Sequence, residues 1–419
     1  MQRFIIKGQK PLSGEIKVNG AKNAALKFLA AALLSADKWT LSNIPQIEDI
    51  FSLAKLIQSL GVDLSYNKDV FQVQAIQDPK TDLDPDLAVK LRASVLLTGP
   101  LLVRRGRVFL PYPGGCAIGQ RPIDIFLKGF QSLGAKIKVE NNGFILTTNG
   151  LRGNKFFFPQ VSVTATETLM MAACLTQGKT FLQNTACEPE IPFLADFLNQ
   201  CGAKIKGAGT PFIEIEGVSR INGGDIVMMP DRIEMGTFAV LAAACGDNTI
   251  KITNCQPEHA QSLWLKLKEA GVKLKFGPDW LEVQPVKDLR AAVDIKTQEY
   301  PGFATDLQAP FCVLMTRAHG VSLIHETIFE GRLFYTDILN HMGAKIIMAD
   351  PYRVIVVGPT QLYGQKIISP DIRAGIALLI AGLMAKGETV IENIYQIDRG
   401  YEKIEERLRG LGADIKRVS

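Results

Sequence analysis

The sequence has no long apolar run and no recognisable export signal. Its longest apolar stretches, such as residues 375–385, are far shorter than the roughly 18 residues that a membrane-spanning helix needs. The first residues lack the apolar segment and small-residue cleavage site of a secretory signal. We therefore expect a cytoplasmic protein with no membrane partner.

Histidine is scarce and the cysteines form no recognisable set. The seven cysteines are odd in number and include no C-x-x-C pair, so neither a disulfide framework nor a zinc site is indicated, and most should be small core residues. The four histidines include no H-E-x-x-H motif, which argues against a protein-bound catalytic metal. A net charge of +5 over 419 residues, without a run of like charges, suits anionic small molecules better than nucleic acid.

What the sequence does contain is a sixfold internal repeat. A sequence motif recurs about every 70 residues: an apolar or small residue, then glycine, then a short strand of alternating apolar and polar residues. An apolar helix closed by a turn and a strand recurs with the same period. The glycines of the first marker are Gly61, Gly134, Gly202, Gly271, Gly343 and Gly412, and the turn residues of the second are Asp37, Gly106, Gly178, Gly246, Gly320 and Gly387.

Each repeat predicts the order helix, strand, helix, strand, strand, which makes this an α/β protein. The first helix is apolar or small on every side, which suits complete burial. The second helix is amphipathic and ends at the repeat glycine, as in residues 401–412. We expect a layer of buried helices inside outer sheets.

The starts of the six buried helices are unexpectedly polar. Ser, Thr, Asp and Asn are ordinary N-caps. For any single one of them, capping is as good an explanation as a functional role. Lysine and arginine are different, because a cation beside the positive end of a helix is unfavourable unless an anion lies between them. These starts therefore indicate anion binding. They are Lys22-Asn23, Arg92-Ala93-Ser94, Ser162-Val163-Thr164, Asp231-Arg232, Thr305-Asp306 and Asp371-Ile372-Arg373.

A segment rich in proline and glycine, residues 111–122, carries Cys116 outside any periodic element. We expect a mobile loop. Arg121 lies close in sequence, and a neighbouring cation gives a thiol the thiolate character of a nucleophile, although a bystander thiol in a turn remains the alternative. Two further cations are Arg332, which opens the second helix of the fifth repeat, and Arg399, which comes before the second helix of the sixth, although a surface location would also explain them.

Together these motifs resemble those of the UDP-N-acetylglucosamine 1-carboxyvinyltransferases, within the enolpyruvyl transferase family. The resemblance covers the whole chain, and the cysteine loop is its most specific part. The motifs that carry it are Asn19-Gly20-Ala21-Lys22-Asn23-Ala24, Pro113-Gly114-Gly115-Cys116, Pro230-Asp231-Arg232-Ile233-Glu234, Thr305-Asp306 and Ile397-Asp398-Arg399-Gly400-Tyr401.

The resemblance implies two inside-out α/β barrel-like domains, each of three repeats, with a cleft between them on which the helix starts converge. Residues 22–230 would form the domain that carries Cys116. Residues 1–21 and 231–419 would form the other.

It also implies roles for single residues. Lys22, Arg121 and Arg399 would hold the phosphate of phosphoenolpyruvate, and Arg332 and Arg373 its carboxylate, with Asn23 beside them. Asp306 would face the sugar's 3-hydroxyl as the base. Cys116 would donate a proton, carry a covalent phospholactoyl adduct and be the target of the epoxide antibiotic fosfomycin. The UDP-N-acetylglucosamine site would be lined by Asn23, Arg92, Arg121, Pro122, Ile123, Asp124, Ile125, Gln160, Val161, Ser162, Val163, Asp306 and Ile328.

The implied reaction is addition followed by elimination, with no metal or organic cofactor, at the first committed step of bacterial peptidoglycan synthesis. It would serve cell-wall formation, cell shape and cell division. Two positions depart from the family, which often has lysine at the place of Gln160 and glycine at that of Thr164. Both concern contacts to uridine, not the reaction.

Two alternatives differ in what they predict. The sister enzyme that uses shikimate 3-phosphate usually has serine where this chain has Asn23, and it lacks the cysteine loop. A ring-shaped nucleic-acid clamp would spread its cations along one face, whereas here they lie at helix starts beside Asn23, Asp306 and a thiol.

Overall fold

The computed structural model describes residues 2–114, 123–292 and 294–419. These residues form two compact units. The terminal unit contains residues 2–19 and those described from 230 to 419, so both chain ends belong to it. The central unit contains residues 20–114 and 123–229. The domain boundaries expected from the resemblance, after residues 21 and 230, lie next to these.

The terminal unit has three apolar helices at its centre, Arg232–Cys245, Gln308–Met315 and Ile372–Met384, each packed against the other two. Helices can be buried in this way because their backbone groups are paired internally. Three four-stranded sheets of the described residues belong to this unit. In sheet order, their strands are Lys366–Ile368, Glu388–Glu392, Arg3–Lys7 and Asp414–Val418; Leu274–Phe276, Trp280–Val283, Gly246–Thr253 and Leu12–Lys17; and Asp294–Lys296, Gly320–His325, Arg353–Gly358 and Ile346–Asp350.

The central unit repeats this plan around the buried helices Lys22–Ala31, Thr98–Arg105 and Val163–Ala173. The last two approach closely, since a Cβ built at Gly99 would lie 2.6 Å from the carbonyl oxygen of Thr168. The strands of this unit, in sheet order, are Lys204–Lys206, Phe212–Glu216, Lys179–Gln183 and Lys155–Phe157; Gly224–Val227, Trp39–Ser42, Val70–Gln74 and Asp63–Asn67; and Arg107–Pro111, Gly143–Thr147 and Lys136–Glu140.

An amphipathic second helix accompanies each repeat, with one face buried and the other polar. These helices are Glu48–Ser59, Asp124–Ser132, Glu190–Gln200, Gln261–Glu269, Tyr335–His341 and Ile404–Gly410. Short helical segments complete the fold: Ala32–Leu34, Pro85–Ala88, Arg92–Leu97, Pro257–Ala260, Thr305–Leu307 and Tyr395–Asp398. Apolar helices inside, with sheets around them, confirm the predicted inside-out α/β architecture.

The repeat glycines end the second helices as predicted, and all six have positive φ angles between 85° and 105°. Such angles are open to glycine because it lacks a Cβ. The second marker is less uniform. Gly106, Gly178, Gly320 and Gly387 also have positive φ, but Gly246 has a φ of −74° and begins a strand directly after its helix.

Candidate active site

Side-chain caps account for part of the polarity at the helix starts. Asp231 accepts hydrogen bonds from the backbone N–H groups of Ile233 and Glu234, at 2.8 and 3.0 Å. Asp371 caps the helix Ile372–Met384 in the same manner, and Ser162 caps the helix Val163–Ala173. Capping therefore explains these three residues but not the arginines that follow Asp231 and Asp371.

Two of the six starts are not α-helical. Arg92 opens the 3₁₀ segment Arg92–Leu97, and Asp306 lies in the 3₁₀ segment Thr305–Leu307. The α-helices of these repeats begin only afterwards, at Thr98 and Gln308. The expectation of a regular α-helix start at these positions is wrong, because the polar residues occupy a tighter 3₁₀ turn.

Asp306 lies between two arginines of the terminal unit. Its Oδ1 accepts a hydrogen bond from Nη1 of Arg332 at 2.8 Å, and its Oδ2 accepts one from Nη2 of Arg373 at 2.9 Å. Burial by itself would raise the pKa of Asp306, but Arg373 and Arg332, with a smaller contribution from Arg232, hold that pKa well below its usual range. The carboxylate is therefore ionised, with both oxygens in use.

Arg373 is also held by an aromatic side chain. Its Nη1 donates to the hydroxyl of Tyr401 at 3.2 Å, and its guanidinium lies over the tyrosine ring. The same hydroxyl is 2.9 Å from Oγ1 of Thr237. Burial raises the pKa of Tyr401, so this hydroxyl stays protonated and can donate to Thr237 while it accepts from Arg373.

Arg332 is almost completely buried, with 6% of its surface exposed. Its Nη1 donates to Oγ1 of Thr305 as well as to Asp306, and its guanidinium stacks on the ring of Phe329. The buried Nε of Arg332 has no hydrogen-bond partner within the described residues. The predicted position at the start of a helix is wrong: Arg332 lies in the turn before the helix Tyr335–His341.

The other predicted residues of the terminal unit lie at or near the ends of helices and strands. Arg399 follows the helix Tyr395–Asp398, is half-buried and donates from Nη1 to Oε1 of Gln396 at 3.0 Å. Arg232 lies against the ring of Tyr300. Ile328 is half-buried, and its backbone N–H donates to Oε1 of Glu326.

In the central unit, Lys22 is the first residue of its helix, and its Nζ lies 2.6 Å from Oδ2 of Asp49. Both side chains are buried. Asn23 and Arg92 are half-buried. Lys22 and Asp49 therefore form a buried ion pair.

The predicted UDP-sugar residues of this unit lie at the starts of two helices. Val161, Ser162 and Val163 are half-buried before and at the start of the helix Val163–Ala173, and Gln160 is exposed. Ile123 and Ile125 are half-buried at the start of the helix Asp124–Ser132, and the exposed Asp124 pairs with Lys128. Cys116, Arg121 and Pro122 lie outside the described residues.

Several residues in direct contact with predicted site residues were not themselves predicted as site residues, among them Asp49, Thr305, Glu326 and Tyr401. Thr305 and Tyr401 stand in motifs that carry the resemblance, so their motifs were a signal. Asp49 looks like an ordinary acidic residue of a first helical turn, and Glu326 like the polar end of a strand. Neither pattern indicates a site.

The described residues contain no group of three or more His, Cys, Asp or Glu side chains placed to hold a metal ion. Within the described part of the chain, no helix has the length and apolar character needed to cross a membrane.

Comparison with known proteins places this geometry in a family. The family model of EPSP synthase (3-phosphoshikimate 1-carboxyvinyltransferase) matches residues 6–408. A protein of Halothermothrix orenii is 44% identical over 418 residues, and one of Trichlorobacter lovleyi is 45% identical over 421 residues; each match covers 100% of both chains. Both relatives are named UDP-N-acetylglucosamine 1-carboxyvinyltransferase.

Solved structures share the fold over the whole chain. The enolpyruvyl transferase NikO from Streptomyces tendae has a TM-score of 0.90 at 24% identity, covering 100% of this chain and 99% of its own. An EPSP synthase from Acinetobacter baumannii has a TM-score of 0.77 at 17% identity, covering 100% of both chains. The full-length curated relatives go further than the fold and confirm the resemblance: this chain belongs to the UDP-N-acetylglucosamine 1-carboxyvinyltransferase family, a branch of the enolpyruvyl transferases.

Proposed function

We propose that this protein transfers the enolpyruvyl group of phosphoenolpyruvate to the 3-hydroxyl of UDP-N-acetylglucosamine and releases phosphate, at the first committed step of peptidoglycan synthesis. The observation that carries the proposal is the 43% to 45% identity to curated relatives of that name, over 100% of this chain.

The arginines around Asp306 support an anionic substrate. Arg332 and Arg373 are nearly buried and share one carboxylate, so this group of three side chains keeps a positive charge in excess. A buried N–H without a partner is costly unless a ligand completes it. As far as the described residues go, the buried Nε of Arg332 is such a donor. The carboxylate of phosphoenolpyruvate has the acceptor geometry that guanidinium groups prefer.

The pairing of Asp306 also bears on its role as the base. A carboxylate whose pKa is held low is a weak base. An anionic substrate bound to Arg332 and Arg373 would bring negative charge to the cluster and weaken their hold on Asp306, which raises its pKa. In this proposal phosphoenolpyruvate activates the base that deprotonates the sugar.

The chemistry follows as addition and elimination. The sugar's 3-hydroxyl oxygen bonds to C2 of phosphoenolpyruvate and gives its proton to Asp306, while the Cys116 thiol gives a proton to C3. The tetrahedral intermediate then breaks the bond between C2 and the phosphate oxygen while C3 returns a proton to the Cys116 thiolate, which restores the C2=C3 double bond as an enol ether. The proton held by Asp306 leaves with the phosphate. Lys22, Arg121 and Arg399 stabilise the charge of the departing phosphate.

The UDP-sugar contacts are assigned by the same proposal to Asn23, Arg92, Ile328 and the segments 121–125 and 160–163. Both substrates are charged small molecules, and we place the reaction in the bacterial cytoplasm, where such metabolites are retained. No nucleic-acid partner is part of this proposal.

Phosphate release from phosphoenolpyruvate tests it, measured with UDP-N-acetylglucosamine and with shikimate 3-phosphate in separate reactions. Only the UDP-sugar should support turnover, with a product heavier by one enolpyruvyl group. Turnover with shikimate 3-phosphate alone would assign the sister reaction. Salt-sensitive DNA retention without phosphate release would point to a clamp.

A further inference from the structure

Glu326 is a completely buried carboxylate whose surroundings consist of hydrogen-bond donors. It follows the strand Gly320–His325 and has none of its surface exposed. Its Oε1 accepts from Oγ1 of Thr297 at 3.0 Å and from the backbone N–H groups of Ile328 and Phe329 at 2.9 and 3.2 Å. Its Oε2 accepts from Oγ1 of Thr305 at 2.8 Å. These four donors serve both oxygens of the carboxylate.

The Oε2 side of Glu326 fixes the direction of a hydroxyl group. Oγ1 of Thr305 is also 2.8 Å from Nη1 of Arg332, and a guanidinium can only donate. The single hydroxyl hydrogen of Thr305 therefore goes to Glu326, and a lone pair of its oxygen accepts from Arg332. Because Nη1 of Arg332 gives its other hydrogen to Oδ1 of Asp306, the position of that nitrogen depends on both partners.

The Oε1 side holds the backbone at Ile328, a predicted site residue, and at Phe329. The N–H groups of Ile328 and Phe329 both point at Glu326, and the ring of Phe329 supports the guanidinium of Arg332. The turn from residue 326 to residue 329 is thereby fixed from inside the protein.

We propose that Glu326 is a positioning residue for the transfer reaction: it orients the hydroxyl of Thr305 as an acceptor for Arg332 and so sets the geometry of Arg332 and Asp306. This inference rests on the proposed function. Glu326 acts through its neighbours and has no assigned contact with substrate.

A glutamine at position 326 should change the contact with Thr305 and keep the contacts with the backbone N–H groups. The amide oxygen can keep the two backbone N–H groups, and the amide NH₂ then faces Thr305. A donor in that place competes with Arg332 for the lone pairs of the threonine hydroxyl. The change therefore disturbs Arg332 and Asp306 while it spares the backbone at Ile328.

The test is steady-state kinetics of E326Q, T305V, T305S and the double variant E326Q/T305V, alongside wild-type protein. We expect E326Q to lower kcat and raise KM for phosphoenolpyruvate, so that kcat/KM falls by roughly 10- to 100-fold, as for a lost hydrogen bond to a charged group. KM for UDP-N-acetylglucosamine should change less than about twofold, since the Ile328 side is kept. The exposed Glu330 in the same segment provides the matched control, and E330Q should behave as wild type.

The threonine variants show whether Glu326 acts through Thr305. T305S keeps the hydroxyl and should retain most activity, whereas T305V should resemble E326Q. In the double variant the two losses should not add. If E326Q does not fold, as judged by circular dichroism and its Tm, the comparison of T305V with T305S decides the question.

Three results would overturn the inference: unchanged kinetics of E326Q, additive losses in the double variant, or equal activity of T305V and T305S. Absence of turnover by the wild-type protein would instead refute the proposed function, so the two failures are distinguishable.

Discussion

Arg373 and Asp306 are 67 positions apart in the chain, yet Nη2 of the arginine lies 2.9 Å from Oδ2 of the aspartate. Arg332 occupies the other oxygen in the same way. A residue proposed as a base is thus held by two cations that lower its pKa. Basicity at this position is therefore tied to the anion that the arginines bind.

Asp306→Asn should bind both substrates and lose turnover. The amide keeps the shape of the side chain but cannot accept the sugar's proton, so kcat should fall by roughly 10²- to 10⁴-fold, the range for loss of a general base. Phosphate release measures kcat, and calorimetry measures binding. Asp337→Asn, at an exposed aspartate of the same unit, is the control. Near-normal turnover of Asp306→Asn would remove Asp306 as the base.

Arg399→Ala should mainly impair the use of phosphoenolpyruvate. The proposal gives this guanidinium a charge-assisted hydrogen bond to the phosphate, so KM for phosphoenolpyruvate should rise by roughly tenfold or more, with KM for the UDP-sugar less affected. Initial rates at varied concentrations of each substrate measure both. Arg409→Ala, at an exposed arginine, should leave them unchanged. Unaltered kinetics for phosphoenolpyruvate would show that Arg399 has another role.

Glu167→Gln should change how stability depends on pH. Glu167 is fully buried beside Lys27, and burial, opposed by Lys27, raises the pKa of Glu167 from 4.5 to about 8. The folded protein thus keeps a proton that the unfolded chain releases between these values, so this residue lowers the free energy of unfolding as pH rises from about 4.5 to about 8. Glutamine does not titrate, so the variant lacks this contribution to the pH dependence of stability.

Denaturant unfolding at several pH values in this window checks that prediction. Relative to wild type, Glu167→Gln should become more stable as pH increases, by at most about 1.4 kcal/mol per pH unit. Asp196→Asn, at an exposed residue of the same unit, should run parallel to wild type. Parallel curves for Glu167→Gln as well would contradict the raised pKa.

Cys116 should be the preferred site of alkylation. Burial raises the pKa of the six described cysteines, to about 12 at Cys174 and Cys312. These thiols are poor nucleophiles at neutral pH. Fosfomycin, which resembles phosphoenolpyruvate in size and charge, should inactivate the enzyme with time and add once per chain, faster when UDP-N-acetylglucosamine is bound.

Intact and peptide mass spectrometry locate the adduct of that reaction. Cys116→Asp should escape inactivation and keep some activity, because a carboxylic acid can donate a proton but does not readily open the epoxide. An adduct on another cysteine, or inactivation with Cys116 unmodified, would refute the assignment.

The sequence by itself determined the repeat, the buried helices and the glycines that end the second helices. These features depend on local properties: an all-apolar helix has no face suited to water, and a positive φ favours glycine wherever it occurs. The excess of cations at the helix starts is also a local property of the sequence, and it indicates anion binding without reference to any tertiary contact.

Only the tertiary structure decided which charges meet. Nothing local pairs Lys22 with Asp49, or directs Arg332 and Arg373 to opposite oxygens of Asp306. The role of Glu326 was hidden for the same reason, since a glutamate at the end of a strand is ordinarily a solvated residue. Pairing between distant residues depends on how the repeats pack, and packing is a property of the whole folded chain, which no local periodicity encodes.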